Sequence, residues 1–174
     1  MSVEEIVQKC TGAQRIRELE TIQSLWSGYG SIIRYQLFGQ NTAGQDMAGP
    51  AGTVIVKHVR FREGGDHPRG WDTDLSHRRK LHSYQVETAW YRDWSARCSS
   101  ECRVPVCFGL ESSEDDVIMV LEDLDASGFP GRRSSVTDAE LQACLSWLAH
   151  FHARFLGEHP KGLWETGTYW HLET

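Results

Sequence analysis

The sequence predicts an α+β protein: five strands forming an antiparallel sheet, one long helix inserted after the third strand, then a connector and a further helix. Three observations carry this. Short runs rich in β-branched residues, such as "GSIIRYQLF" and "TVIVKHVRF", are separated by glycine- and proline-bearing turns. Two longer segments repeat apolar residues at spacings of three and four. The order of elements is helix, three strands, long helix, two strands, connector, helix, which excludes a doubly wound parallel sheet built by regular alternation.

Each element has its own justification. "VEEIVQKC" starts an amphipathic helix with Val3, Ile6 and Val7 on one side. "IQSLWSGYGSIIRYQLFG" is strand, glycine turn, strand, with Ile33, Tyr35 and Leu37 alternating against Arg34, Gln36 and Phe38. "NTAGQDMAGPAG" is a breaker-rich turn, and "TVIVKHVRF" is the third strand. The polar loop "REGGDHPRGWDTD" ends in helix-capping Asp and Thr, and a helix follows over residues 75–97 with Leu81, Tyr84, Thr88 and Tyr91 on one stripe. "RVPVCFGLES" and "DVIMVLEDL" are strands joined by the acidic turn "SSEDD". The last helix covers residues 138–156, is capped by Thr137 or Asp138, and is followed by Gly157. Its apolar face is Leu141, Leu145, Leu148, His152 and Phe155.

Composition bounds the function. The 174 residues suffice for a real core, and a net charge of −6 argues against a general nucleic-acid binder. No apolar run reaches the about 20 residues that span a bilayer, so no membrane partner is expected. The acidic, helical start is unlike a secretory signal, and a cytoplasmic location is the expectation. Cys98, Cys102 and Cys107 lie near one another without metal-ligand spacing, so the five cysteines read as reduced structural thiols, with a regulatory pair at Cys98 and Cys102 as the alternative. His58, His77 and His82 have no ligand-like spacing, and no metal site is assigned. His152 is expected to pack against the core, as are Trp90, Trp94 and Trp147. Trp71 stands in a polar loop where it could cover a ligand, and "HRRK" at 77–80 reads as a solvated helix face.

Three features could carry chemistry. "SGYGS", Ser27 to Ser31, is a small turn whose backbone could approach a phosphate, although a plain hairpin turn is the simpler reading. Lys57 stands in the middle of an apolar strand, on the face of Ile55, Val59 and Phe61. An edge-strand lysine that discourages sheet pairing is the plainer account, but it would expose three large apolar groups. Glu87 lies three residues after Tyr84 and four before Tyr91, on or beside the buried stripe, where a carboxylate needs a cation. Lys57 is the natural partner; an exposed helix flank is the alternative.

Together, "SGYGSIIRYQL", "VIVKHV", "YQVETAWYRD", "RVPVCFGLES", "VIMVLEDL" and "LQACLSWLAHFHARF" resemble the N-terminal lobe and the start of the second lobe of protein-kinase-like small-molecule kinases. The group is that of aminoglycoside phosphotransferases and choline kinases, and the resemblance is greatest to the ecdysteroid-kinase-like branch. It implies a nucleotide-binding lobe at 1–121, a hinge and connector at 122–136, and the start of a substrate lobe at 137–174. Gly28, Gly30 and Ser31 would lie over the ATP phosphates, and Lys57 would contact them while held by Glu87. Backbone groups of Glu122 and Leu124 would bond to the adenine edge, and Val56, Met119 and Leu121 would wall it. ATP and magnesium are the implied cofactors, and a hydroxyl-bearing small molecule the implied acceptor.

Departures from the pattern shape the expectation. The interval from Lys57 to Glu87 is thirty residues (87 − 57), with "REGGDHPRGWDTD" absorbing the excess, and the turn lacks a third glycine. No His-x-Asp loop occurs in residues 157–174, so catalytic aspartates and metal ligands are not assigned and the chain alone is expected to be inactive. The expected function is ATP-dependent phosphotransfer to a small-molecule hydroxyl, with this chain supplying the nucleotide lobe. The alternatives are a non-catalytic binding or docking module, self-associating through the 138–156 helix, and a domain with no nucleotide site.

Overall fold

The computed structural model describes residues 1–25, 28–39, 52–61 and 74–166. The turn around residues 40–51, the loop 62–73 with Trp71 and the expected caps, and the tail from 167 lie outside the described residues. The chain divides into two compact units, Met1–Arg79 with Pro105–Gly131 and Lys80–Val104 with Arg132–Thr174.

The first unit is a sheet with one short helix. The helix α1 (Val3–Thr11) begins with a capping box, in which Ser2 and Glu5 exchange side-chain and backbone hydrogen bonds. It ends at Gly12, whose left-handed φ of 71° lets its amide donate to the Gln8 carbonyl at 2.9 Å. The strands are β1 (Arg15–Ser24), β2 (Gly30–Phe38), β3 (Thr53–Arg60), β4 (Cys107–Ser112) and β5 (Asp116–Glu122). All pairs are antiparallel and the order is β1-β2-β3-β5-β4. The five-stranded antiparallel sheet of an α+β fold is as expected. The last strand in sequence lies inside, because Val117 to Leu121 is an unbroken apolar run that is buried throughout.

The core lies between α1 and one face of the sheet. Ile6 and Val7 pack with Leu37, Val54, Val56, Ile118 and Val120, all nearly closed to solvent. Each such side chain contributes about 1.5–3 kcal/mol by leaving water. Strand β1 starts at Arg15, seven residues before the expected start. Its first seven residues, "RIRELET", are mostly exposed and lack an apolar alternation, and two register irregularities interrupt the pairing of β1 with β2. Charged side chains and irregular pairing suit an edge strand.

The second unit is helical. The helix α2 (Asp74–Ala89) begins in the first unit and continues into the second. The expected helix to residue 97 is α-helical only to Ala89; a π-helical turn, Trp90–Trp94, and a 3-10 turn, Ser95–Arg97, complete the span. The π turn places Trp90 against Phe151 and Phe155, at ring-centroid distances of 5.6 and 5.7 Å, with Trp94 5.9 Å from Phe155. The helix α3 (Asp138–Phe155) carries both phenylalanines and is capped by Thr137, in a capping box with Glu140. Indole N–H groups are satisfied by carbonyls, Trp147 donating to Arg103 at 2.9 Å and Trp94 to Lys161 at 3.2 Å. The tryptophans therefore pack as expected.

Two expectations here are corrected. His152 is exposed rather than packed on the core, because Trp90 and Trp94 draw the Phe151 and Phe155 side of α3 inward. Leu141, Leu145 and Leu148 remain 45%, 49% and 41% exposed. The run 77–80 is solvated at Arg78 only, while His77, Arg79 and Lys80 are half-buried.

The β1–β2 turn yields a test. Both glycines adopt positive φ, 72° at Gly28 and 138° at Gly30, but their surroundings differ. A Cβ on Gly28 would meet nothing within 4 Å, whereas one on Gly30 would lie 1.9 Å from the His58 carbonyl oxygen. Gly28→Ala should therefore cost about 1–2 kcal/mol through its backbone conformation alone. Gly30→Ala should cost more than about 3 kcal/mol, since β2 and β3 must part to admit the methyl. Urea unfolding midpoints of the two variants check the order.

Candidate functional site

Lys57 lies in β3, and β3 is flanked by β2 and β5. Its register partners are Ile32 on β2 and Met119 on β5. The edge-strand account of this lysine is thereby excluded. Register and pleat place Ile32, Arg34, Ile55, Met119 and Leu121 on the same sheet face as Lys57. Val54 and Val56 point the other way, into the α1 core. Val56 was expected beside Met119 and Leu121 as a wall of one pocket, and the pleat forbids it. The residue that fits that place is Ile55, two positions before Lys57. Period-2 alternation already marked it as sharing the lysine's face.

Backbone hydrogen bonds join the glycines to Leu25, the residue after β1. The Leu25 amide donates to the Gly30 carbonyl at 2.8 Å, and the Gly28 amide donates to the Leu25 carbonyl at 3.3 Å. Gly30 and Ser31 are in register with Val59 and His58. Gly30 thus has a packing reason to be glycine, independent of any phosphate. Between the glycines, the Tyr29 hydroxyl is hydrogen-bonded to Nδ1 of His77 in the first turns of α2, and the two rings stack with centroids 5.9 Å apart.

The segment after β5 is tied down closely. The Glu122 amide donates to the Val106 carbonyl at 2.8 Å, and the Glu122 carboxylate accepts from the Val106 amide at 3.1 Å. The Leu124 carbonyl accepts from the amides of Ser127 and Phe129, at 3.1 and 2.9 Å. Asp123, only 4% exposed, receives a two-pronged contact from Arg34: Nε to Oδ2 at 2.7 Å and Nη2 to Oδ1 at 3.2 Å. The Thr53 hydroxyl donates to the same Oδ2 at 2.8 Å. Arg34 also pairs with Asp125 and Glu20. Burial alone would favour loss of the Arg34 proton, but the Asp123 and Asp125 hydrogen bonds outweigh it and hold the proton more firmly than usual.

Neither Arg34 nor Asp123 stood out in sequence. The signal was faint: an arginine on the lysine's face of a strand, and an aspartate directly after an apolar strand. Glu87 is half-buried in the second-unit part of α2, beside the buried Thr88, whose hydroxyl donates to the Tyr84 carbonyl at 2.8 Å.

Residues 80–156 match the family model of the ecdysteroid kinase-like family. That stretch is similar to the ecdysteroid kinase-like family. The family belongs to the protein-kinase-like small-molecule kinases, so the resemblance seen in the sequence is borne out over this span. The matched span runs from the second-unit part of α2 through β4, β5 and the segment after them to the end of α3. It includes Glu87, Glu122 and Leu124; the glycine turn and Lys57 precede it. No curated protein matches the chain. Among the described residues, no helix is long and apolar enough to cross a membrane.

The cysteines are free thiols. Burial pushes the Cys10 thiol up to about 11 and the Cys98 thiol, with Cys102 beside it, up to about 11. The sulfur of buried Cys102 lies 3.7 Å from the Ser99 hydroxyl, and Cys144 is exposed. A thiol titrating that high is almost wholly protonated, and so unreactive, at about pH 8. Brief iodoacetamide treatment at that pH, read by peptide mass mapping, should modify Cys144 first and leave Cys10 and Cys98 largely unmodified. Fast modification of Cys98 would instead support a reactive pair with Cys102.

Proposed function

We propose that the sheet face carrying Lys57 binds the triphosphate and base of ATP, and that the chain supplies the nucleotide-binding part of a small-molecule phosphotransferase. The observation that carries this is the place of Lys57: central in the sheet, opposite the α1 core, with Ile32, Ile55, Met119 and Leu121 on its own face. An ammonium among aliphatic side chains suits a ligand with an anionic end and a flat apolar end.

In this reading the Lys57 Nζ neutralises charge on the α- and β-phosphates. The Glu122 carbonyl and the Leu124 amide meet the adenine edge, since the Glu122 amide and the Leu124 carbonyl are engaged within the protein. Gly28, Gly30 and Ser31 lie over the phosphates. Glu87 steadies the lysine, a role that rests on the sequence pattern. Magnesium is the metal implied for this class, and when bound it would neutralise charge on the β- and γ-phosphates. Among the described residues there is no group of three or more His, Cys, Asp or Glu that could hold a metal ion. In this reading the chain's own residues bind and orient the nucleotide. The acceptor in the whole protein would be a hydroxyl on a small molecule.

Calorimetric titration with a non-hydrolysable ATP analogue tests this. Wild type should bind, and Lys57→Met should weaken binding at least about tenfold, the worth of one charge-assisted hydrogen bond. Glu87→Gln should weaken binding less, and should have no further effect once Lys57 is replaced, as a shared role demands. Equal affinity for wild type and Lys57→Met would remove the proposal.

A further inference from the structure

The Arg34 network holds more than the sheet needs. Strands β2, β3 and β5 are already joined by backbone pairing, with Arg34 opposite Ile55 and Ile55 opposite Leu121. What Arg34 adds is a grip on residues beyond Glu122, the last residue of β5. It holds Asp123 with two nitrogens and Asp125 with one of the same pair, and Asp125 in turn accepts the Gly131 amide at 3.0 Å. Thr53, the first residue of β3, completes the hold on Asp123.

Such a pair is a costly way to add stability. Asp123 is 4% exposed and the Arg34 side chain 18%, so both charges give up much of their hydration, and well-packed apolar residues often stabilise a fold equally well. What a guanidinium fork on a carboxylate does supply is fixed distance and fixed orientation. Asp123 is flanked by Glu122 and Leu124, the two residues whose backbone meets the base in the reading above.

Resting on that reading, we infer that Arg34 and Asp123 are positioning residues for base recognition: the pair fastens the segment after β5 to β2 and β3, so that the Glu122 carbonyl and the Leu124 amide present one fixed pattern to a purine edge. A fixed acceptor-and-donor pattern discriminates between purines. A loosened segment could follow either edge and would lose that discrimination, while the phosphate contacts of Lys57 would stay as they are.

The test compares ATP and GTP by calorimetry. Removing Arg34 alone strands a buried carboxylate and threatens the fold, so the paired replacement Arg34→Met with Asp123→Leu, which removes both charges, carries the measurement. Circular dichroism and a thermal melt verify that it folds. Wild type should prefer ATP. The paired variant should lose about tenfold in ATP affinity with little change for GTP, an amount that corresponds to one good hydrogen bond to the base. Arg34→Lys, which keeps the charge without the fork, should retain part of the preference. Equal losses for ATP and GTP would mean a merely structural pair and would overturn the inference, as would no change for either. A wild type that binds ATP without preference over GTP would overturn the inference alone. A wild type that binds no nucleotide would overturn the nucleotide site with it.

Discussion

Strand β3 is hydrogen-bonded on both sides, and this constraint orders the rest of the first unit. A central strand cannot shed a charged side chain at an open edge, so Lys57 must be accommodated on a face. One face is closed by α1, through Ile6 and Val7 against Val54 and Val56. The pleat then sends Lys57 to the other face, together with Ile55. The segregation of lysine from core follows from two facts alone: the alternation of the strand, and the place of α1.

The same face holds the other costly cation, Arg34. Lysine and arginine meet different needs there. A lysine ammonium is a compact charge on a flexible stem, suited to a ligand that comes and goes. The guanidinium of Arg34 is committed to fixed protein carboxylates at Asp123, Asp125 and Glu20. One cation thus organises the protein around the face, and the other has the chemistry to meet an anionic ligand. In the second unit the organising interaction is aromatic instead, with Trp90, Trp94, Phe151 and Phe155 joining the π turn to α3.

Much of this was legible in the sequence because local signals agreed. The cap at Thr137, the β-branched run of β3, the acidic turn before β5 and the glycine after α3 each specify a boundary by chemistry that needs no partner. What stayed hidden depended on partners. The first half of β1 is polar and owes its extension to β2. The interior place of β5 is a choice among pairings that sequence order does not fix. The α-to-π change at Trp90 serves the Phe151 and Phe155 rings, which lie far along the chain. Val56 was expected at the adenine wall from the family resemblance, but the pleat turns it into the α1 core and leaves Ile55 on the Lys57 face. Arg34 and Asp123 are 89 positions apart, and no short-range pattern links them.

The central claim is that a nucleotide lies against the Lys57 face and not the α1 face. Reductive methylation of the lysines with and without an ATP analogue, read by peptide mass mapping, tests it directly. Lys9 serves as the internal reference, because it lies on α1 and pairs with Glu111 at 3.0 Å. The account predicts that nucleotide protects Lys57 while Lys9 is modified equally in both samples. Protection of Lys9 without Lys57, or no protection of Lys57 at saturating nucleotide, would contradict it.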